Sequence, residues 1–328
     1  MNRKTSWLLI AGLVIISSVI IVSCKKAAET VVNTVDNTNA SKAKTQASDA
    51  SFVNGEADQA ENDVHNSVSA SARMNPSGSV ATSNGVPSNA DTAWTANGIL
   101  TINYHGLIGT CRYRTGSITV QLIAGKRWID SGAVVMYTFN NYKVTNLCNG
   151  RSATFNGTRY ITNESGGNIY TITLTGHPSS ITHKVRANYT VTFTDSGSTT
   201  TKTAQWNVAR STTVQYLVGL YSFSTSGDTT LNGVSNVESW GTTRNGDSYT
   251  TVFSTPVTSN TYCGLAGIYR PTSGSVLYTV ASFPYSIVYG LDAAGMPVSP
   301  TSGCVALYYY KVSWTLVSGT IVSALIPY

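Results

Sequence analysis

The sequence predicts an all-β fold: an extended antiparallel sheet, a meander of many hairpins, curled or sandwich-like, with a disordered N-terminal tether. Three observations carry this. Apolar and polar residues alternate with period two. "NYTVTFTD" sets Tyr189, Val191 and Phe193 on one face and Thr190, Thr192 and Thr194 on the other. "NIYTITLTG" repeats it with Tyr170, Ile172 and Leu174, and "SITVQL" with Ile118, Val120 and Leu122. Such strands bury one side and wet the other. Four Asn-Gly pairs, Asn149-Gly150, Asn156-Gly157, Asn232-Gly233 and Asn245-Gly246, stand between such runs. Asn-Gly accepts the positive φ angles of tight hairpin turns. Finally, no amphipathic helical pattern follows residue 94.

In chain order, residues 1–23 read as a targeting segment. Asn2-Arg3-Lys4 is a positive start, and Trp7 to Val22 is apolar apart from Ser17 and Ser18. That run is short for a membrane-spanning helix and suits the apolar core of a signal peptide, with an uncleaved anchor as the alternative. Ile21-Val22-Ser23-Cys24 resembles a bacterial lipobox. The resemblance implies that Cys24 becomes the first residue of the mature chain and carries acyl chains such as palmitate. Several chains at about 0.8 kcal/mol per buried methylene anchor a protein essentially permanently.

Residues 24–93 are rich in Ala, Ser, Thr, Asn and Asp, with Phe52 the only aromatic between Lys25 and Asp91. The composition predicts a flexible tether that buries too little apolar surface to offset its ordering entropy. About 70 such residues have a root-mean-square reach of roughly 45 Å. The β-rich region then spans 94–328, with candidate halves 94–210 and 211–328. "YHGLIGTCRYRTGS" from Tyr104 and "YCGLAGIYRPTSGS" from Tyr262 form a weak repeat that would place a boundary near residue 211.

Of five cysteines, an acylated Cys24 leaves four, which allow three connectivities. Cys111–Cys148 with Cys263–Cys304 is favoured because each pair stays within its own half. Each bridge would close a loop of roughly 40 residues, worth about 4 kcal/mol in the chain-entropy picture.

"GTCRYRTGSITVQL", "GAVVMYTFNNYKV", "GTRYITNESGGNIYTITLTG" and "WGTTRNGDSYTTVFSTPV" occur in that order. This succession resembles uncharacterised β-rich lipoproteins of Bacteroidota-type bacteria over most of residues 100–315. The resemblance implies a lipid-anchored envelope protein with a long antiparallel sheet. It implies no activity, so no functional residues carry over.

Signatures of chemistry are sparse. His65 lies in the tether segment, and His105, His177 and His183 lie in the β region. None has a metal-ligand spacing, so no metal and no cofactor are expected. There is no nucleophile elbow and no phosphate-binding glycine loop. The carboxylates Asp130, Glu164, Asp195, Asp228, Glu238, Asp247 and Asp292 mostly sit beside turn residues. A glycosidase would need two of them facing one another across a cleft.

Charge is asymmetric. Residues 95–210 carry eleven basic side chains against three acidic ones; residues 211–328 carry three against four. An anionic partner, such as lipid head groups or acidic glycan, would meet Arg112, Arg114, Lys126, Arg127, Arg151 and Arg159. The bland alternative is a solvated sheet face. Nucleic acid is not expected, since no recognition motif is present. Tyrosine is abundant, with nineteen in the chain. On a wet sheet face tyrosine can stack on sugar rings, though it is also simply a good strand residue.

These readings converge on a lipid-anchored protein of the bacterial cell envelope, placed at the outer membrane, that acts as a structural or binding module rather than an enzyme. Its partners would be the membrane through the anchor, and a glycan, a lipid or another envelope protein. A second reading is a carrier that shields a lipid or apolar ligand in an open half-barrel. A third is a glycan-active hydrolase.

Overall fold

The computed structural model describes residues 34–71, 89–95, 98–123, 126–167, 169, 172, 179–217, 220–260, 271–298, 309–316 and 318–327. The chain divides into two compact units, residues 1–44 and residues 45–328. Among the described residues the one helix, α1 (Thr34–Ser71), begins in the first; the second holds the rest of α1 and the described strands.

The strands are β1 (Ala90–Trp94), β2 (Ile99–Ile108), β3 (Arg112–Leu122), β4 (Ala133–Asn146), β5 (Arg151–Asn163), β6 (Ser180–Thr194), β7 (Thr201–Leu217), β8 (Leu220–Gly227), β9 (Thr229–Leu231), β10 (Val234–Thr242), β11 (Ser248–Asn260), β12 (Ser273–Val280), β13 (Phe283–Leu291), β14 (Tyr309–Thr315) and β15 (Ile321–Pro327). They form one fifteen-stranded antiparallel sheet in which nearly every strand pairs with its sequence neighbours. The predicted all-β meander is the observed architecture.

One place departs from the simple meander. β10 pairs with residues 205–208 of β7, and β8 pairs with residues 210–217 of the same strand. On the other side both pair with β11. β8 and β10 therefore lie end to end in one lane, interrupted where β9 folds back on β10. Gly227 sits at the junction, where an added Cβ would stand 2.0 Å from the Asn236 carbonyl oxygen. No side chain fits there.

Alternation appears as predicted in β6, where Tyr189, Val191 and Phe193 are buried and the intervening threonines are not. Ile118 and Val120 of β3 are likewise buried, with Leu122 half-buried. The run 168–176 lies mostly outside the described residues. On the buried face, Phe139 is the hub of an aromatic cluster, with ring centroids 5.4–5.8 Å from Tyr137, Tyr142, Phe155 and Tyr189. Edge and offset contacts of this kind add to plain area burial.

Three expectations need correction. Residues 34–71, read as part of a flexible tether, form α1. In that helix Ala50, Val53, Ala57, Ala60 and Val64 are buried, at the three-and-four spacing of one helical face. Small side chains and acids fill the face, so composition alone hides it. Asn156-Gly157 is not a turn but lies inside β5, with Gly157 paired on both sides and Asn156 paired with Thr190 of β6. Asn156 instead caps a bulge in β4, its Oδ1 accepting the Asn141 N–H at 2.8 Å. Gly157 (φ 137°) lets the backbone of Asn188 and Tyr189 approach where a Cβ would collide. The other three Asn-Gly pairs do close hairpins; Asn232 (φ 51°) and Gly233 (φ 81°) turn β9 into β10. Third, no boundary exists at residue 211, because β7 runs through it, paired along its length.

Candidate functional site

The sheet has two faces with different chemistry. The buried face carries α1, and charge holds the helix there. Asp49, Glu56 and Asp63 are seven residues apart, so they return to nearly the same side of a helix. All three are buried. Between Thr45 and Ser71 there are five acidic residues and no lysine or arginine.

Each acid meets arginine delivered by a strand or turn. Arg112 binds Glu56 Oε1 through Nε at 2.8 Å and Nη2 at 2.6 Å. Arg114 donates to Asp63 Oδ2 at 2.7 Å, and the Tyr104 hydroxyl donates to the same oxygen at 2.9 Å. Asp49 accepts from Arg151 at 2.8 Å and from Arg244 Nε at 2.6 Å. Arg159 pairs with Asp58 and Glu61, and Arg210 with Asp58. Arginine suits these sites because its planar fork stays charged when desolvated. Burial pushes the Glu56 and Asp63 carboxyls above the usual carboxylate range, with Arg112 and Arg114 respectively opposing that rise.

This corrects the expected open cationic face. Arg112, Arg114, Arg151 and Arg159 are turned to the chain's own helix. Lys126 and Arg127 lie apart in a loop, Lys126 on the Ser131 carbonyl at 2.7 Å and Arg127 on Asp130 at 3.1 Å. The acids of α1, together with Arg210 and Arg244, were missed as site residues. The signal that marks them is the seven-residue repeat of acids among Ala and Val, opposite an excess of arginine downstream.

Cys111 and Cys148 form the expected disulfide, with Cα atoms 5.2 Å apart. It ties the β2–β3 turn to the β4–β5 turn, where Leu147 N–H also reaches the Cys111 carbonyl. Cys24, Cys263 and Cys304 lie outside the described residues. His183 is buried with its ring 5.1 Å from Trp128, and exposed His105 meets Asp91 at 2.9 Å. The expected carboxylates are dispersed. Asp130 caps its turn, and the Arg127 backbone N–H holds its carboxyl below the ordinary range. A hydrogen bond from Arg244 does the same for Asp195. Asp292 accepts two backbone N–H groups of its turn. Glu238 is buried, and burial raises its pKa.

The opposite, wet face carries an open depression of about 460 Å³ across β5, β6, β7 and β10. Tyr160 and Trp240 line it, with Thr158, Arg186 and Asn188 among the residues between them. Thr158 stands opposite Asn188, Asn188 opposite Asn207, and Asn207 opposite Trp240. The amides are locked: Asn188 Nδ2 donates to Asn207 Oδ1 at 2.6 Å, and Asn207 Nδ2 to the Trp240 carbonyl at 3.2 Å. Arg186 is occupied by Asp228, and Lys184 lies 3.5 Å from Glu164 and 4.0 Å from Asp228. Gly157, Ala187 and Val208 line it as well, so the depression is mostly apolar inside, with Thr158, Asn188 and the ion-paired Arg186 as its polar residues.

No family model, curated protein or solved structure matches this chain. Among the described residues no helix is long and apolar enough to cross a membrane.

Proposed function

We propose that this protein is a lipid-anchored component of the bacterial cell envelope that binds or scaffolds rather than catalyses, and that it presents the wet face of its sheet to its partner. One observation carries the choice of face. The chain's own helix, held by buried ion pairs, occupies the other. A half-barrel carrier would need that helix-covered face for its ligand. A hydrolase would need a carboxylate pair in a cleft, whereas Asp292 serves a turn, Asp228 an ion pair and Glu238 the interior.

The lipobox-like Ile21-Val22-Ser23-Cys24 supports the anchor. Thr34 is ten positions after Cys24, a span of at most about 35 Å. With α1 ordered, the lipid would sit nearer to folded chain than a 70-residue tether implies. Metabolic labelling with an alkyne palmitate analogue, followed by membrane fractionation, tests the reading. Cys24→Ala should abolish the label and move the protein out of the outer-membrane fraction. Unchanged labelling and location would refute it.

A further inference from the structure

We propose that the depression between Tyr160 and Trp240 is a binding site for a neutral oligosaccharide; the inference rests on the reading that the wet face meets the partner.

The chemistry of the lining selects the ligand. Wet positions in this part of the sheet are mostly threonine, asparagine or serine, as in the rows Thr138–Thr158–Asn188–Asn207 and Thr192–Thr203. Against that background two large aromatic side chains border one depression. Tyr160 is 39% exposed although it is a large ring on an open sheet. A sugar ring offers C–H groups on its faces and hydroxyls around its rim. Aromatic rings suit the first through the negative face of their π-systems. Amides and hydroxyls suit the second.

Those polar groups are available and held in place. The hydrogen bonds to Asn207 and from there to the Trp240 backbone fix the Asn188 side chain, leaving its Oδ1 and one N–H to the exposed side. The Thr158 hydroxyl lies beside it with no internal partner among the described residues. A preset amide loses little rotamer freedom on binding.

Charge excludes the main rivals. A nucleic acid or an acidic glycan draws its affinity from cations free to meet it. Arg186, which lines the depression, and Lys184, two residues before it on β6, are already matched by Glu164 and Asp228. A protein partner would bury about 800 Å² of this face, whereas the apolar surface of the depression is crossed by the polar row Thr138–Thr158–Asn188–Asn207. Length agrees as well. Tyr160 on β5 and Trp240 on β10 are three lanes apart, or about 14 Å at normal strand spacing. That distance fits a short chain of sugar rings lying across the strands rather than one ring.

The test uses the full-length protein in detergent and isothermal titration with neutral hexaoses: cello-, malto-, manno-, xylo- and chitohexaose. Hexagalacturonate serves as the acidic comparison. At least one neutral hexaose should bind, and hexagalacturonate should bind at least tenfold more weakly. Tyr160→Ala and Trp240→Ala should each weaken binding at least tenfold, and Asn188→Ala about threefold to tenfold. Trp240→Tyr, which keeps a ring, should stay within about threefold of wild type. Tyr216→Ala, an exposed tyrosine elsewhere on β7, should change nothing. If Trp240→Ala fails to fold by circular dichroism, Tyr160→Ala and Asn188→Ala decide the matter. The proposal is overturned if no neutral hexaose binds, if hexagalacturonate binds best, or if binding survives Tyr160→Ala. Labelling at Cys24 is read separately, so a negative glycan result removes this site and leaves the anchor standing.

Discussion

The ion pair between α1 and β3 gives the sharpest test of how the helix is held. Arg114 has a fully buried side chain, and the Asp63 side chain is 5% exposed. Asp63→Ala would leave a desolvated guanidinium without its counter-charge and the Tyr104 hydroxyl without its acceptor. Removing one partner of a buried pair costs about 3–5 kcal/mol. With an m value of about 3 kcal/mol/M, the urea midpoint should fall by about 1–1.7 M at unchanged slope. The double variant Asp63→Leu/Arg114→Met removes both charges and refills the volume. Such replacements are often neutral or stabilising by about 1–4 kcal/mol, so it should recover most of the loss. Urea unfolding followed by far-ultraviolet circular dichroism reads both variants. A loss under about 1 kcal/mol for Asp63→Ala, or a double variant no better than the single one, would refute the claim that buried charge fixes the helix.

Two further outcomes follow from the same packing. Gly55 is exposed in the middle of α1, and nothing lies within 4 Å of where a Cβ would stand, so Gly55→Ala should stabilise the protein by about 1 kcal/mol through helix propensity alone; an unchanged or lower urea midpoint would count against an ordered helix here. Burial raises the folded-state pKa of Glu238 above its unfolded value, against the pull of Arg210. Its contribution to stability is therefore fully present below the unfolded value near 4.5 and is lost as pH rises through the folded value. Glu238→Gln should thus raise Tm at pH 8, with the advantage shrinking on acidification; a Tm below wild type at pH 8 would contradict this.

The candidate site was only partly legible in the sequence. The arginines stood out as a charge excess in residues 95–210, because net charge is a local count. Their partner did not stand out. It lies 51 residues from Arg114 and 195 from Arg244, in a segment of alanine, serine and acids that looks unable to fold by itself. Its buried face is acidic where a helix on a core is expected to be apolar, so the usual sign of amphipathicity is weak. The acids Asp49, Glu56 and Asp63 were readable as a seven-residue repeat, but nothing local says what would face them. Tyr160 and Trp240 illustrate the same limit. Each lies in a recognisable strand, yet only the pairing order β5–β6–β7–β10 places them on one depression.

What the sequence determined by itself was the strand chemistry. Period-two alternation and three of the four Asn-Gly pairs specify antiparallel hairpins, since side-chain alternation and turn dihedrals are properties of a few adjacent residues. Cys111 and Cys148 were also legible, as cysteines within one local stretch of hairpins. Tertiary structure alone decided the rest: that β8 and β10 share a lane, that Asn156-Gly157 serves a bulge rather than a turn, and that the positive half of the sheet is matched by the chain's own helix. Those outcomes depend on which distant groups share a desolvated space. There an unpaired charge costs several kcal/mol, and a partner far away in sequence is what removes that cost.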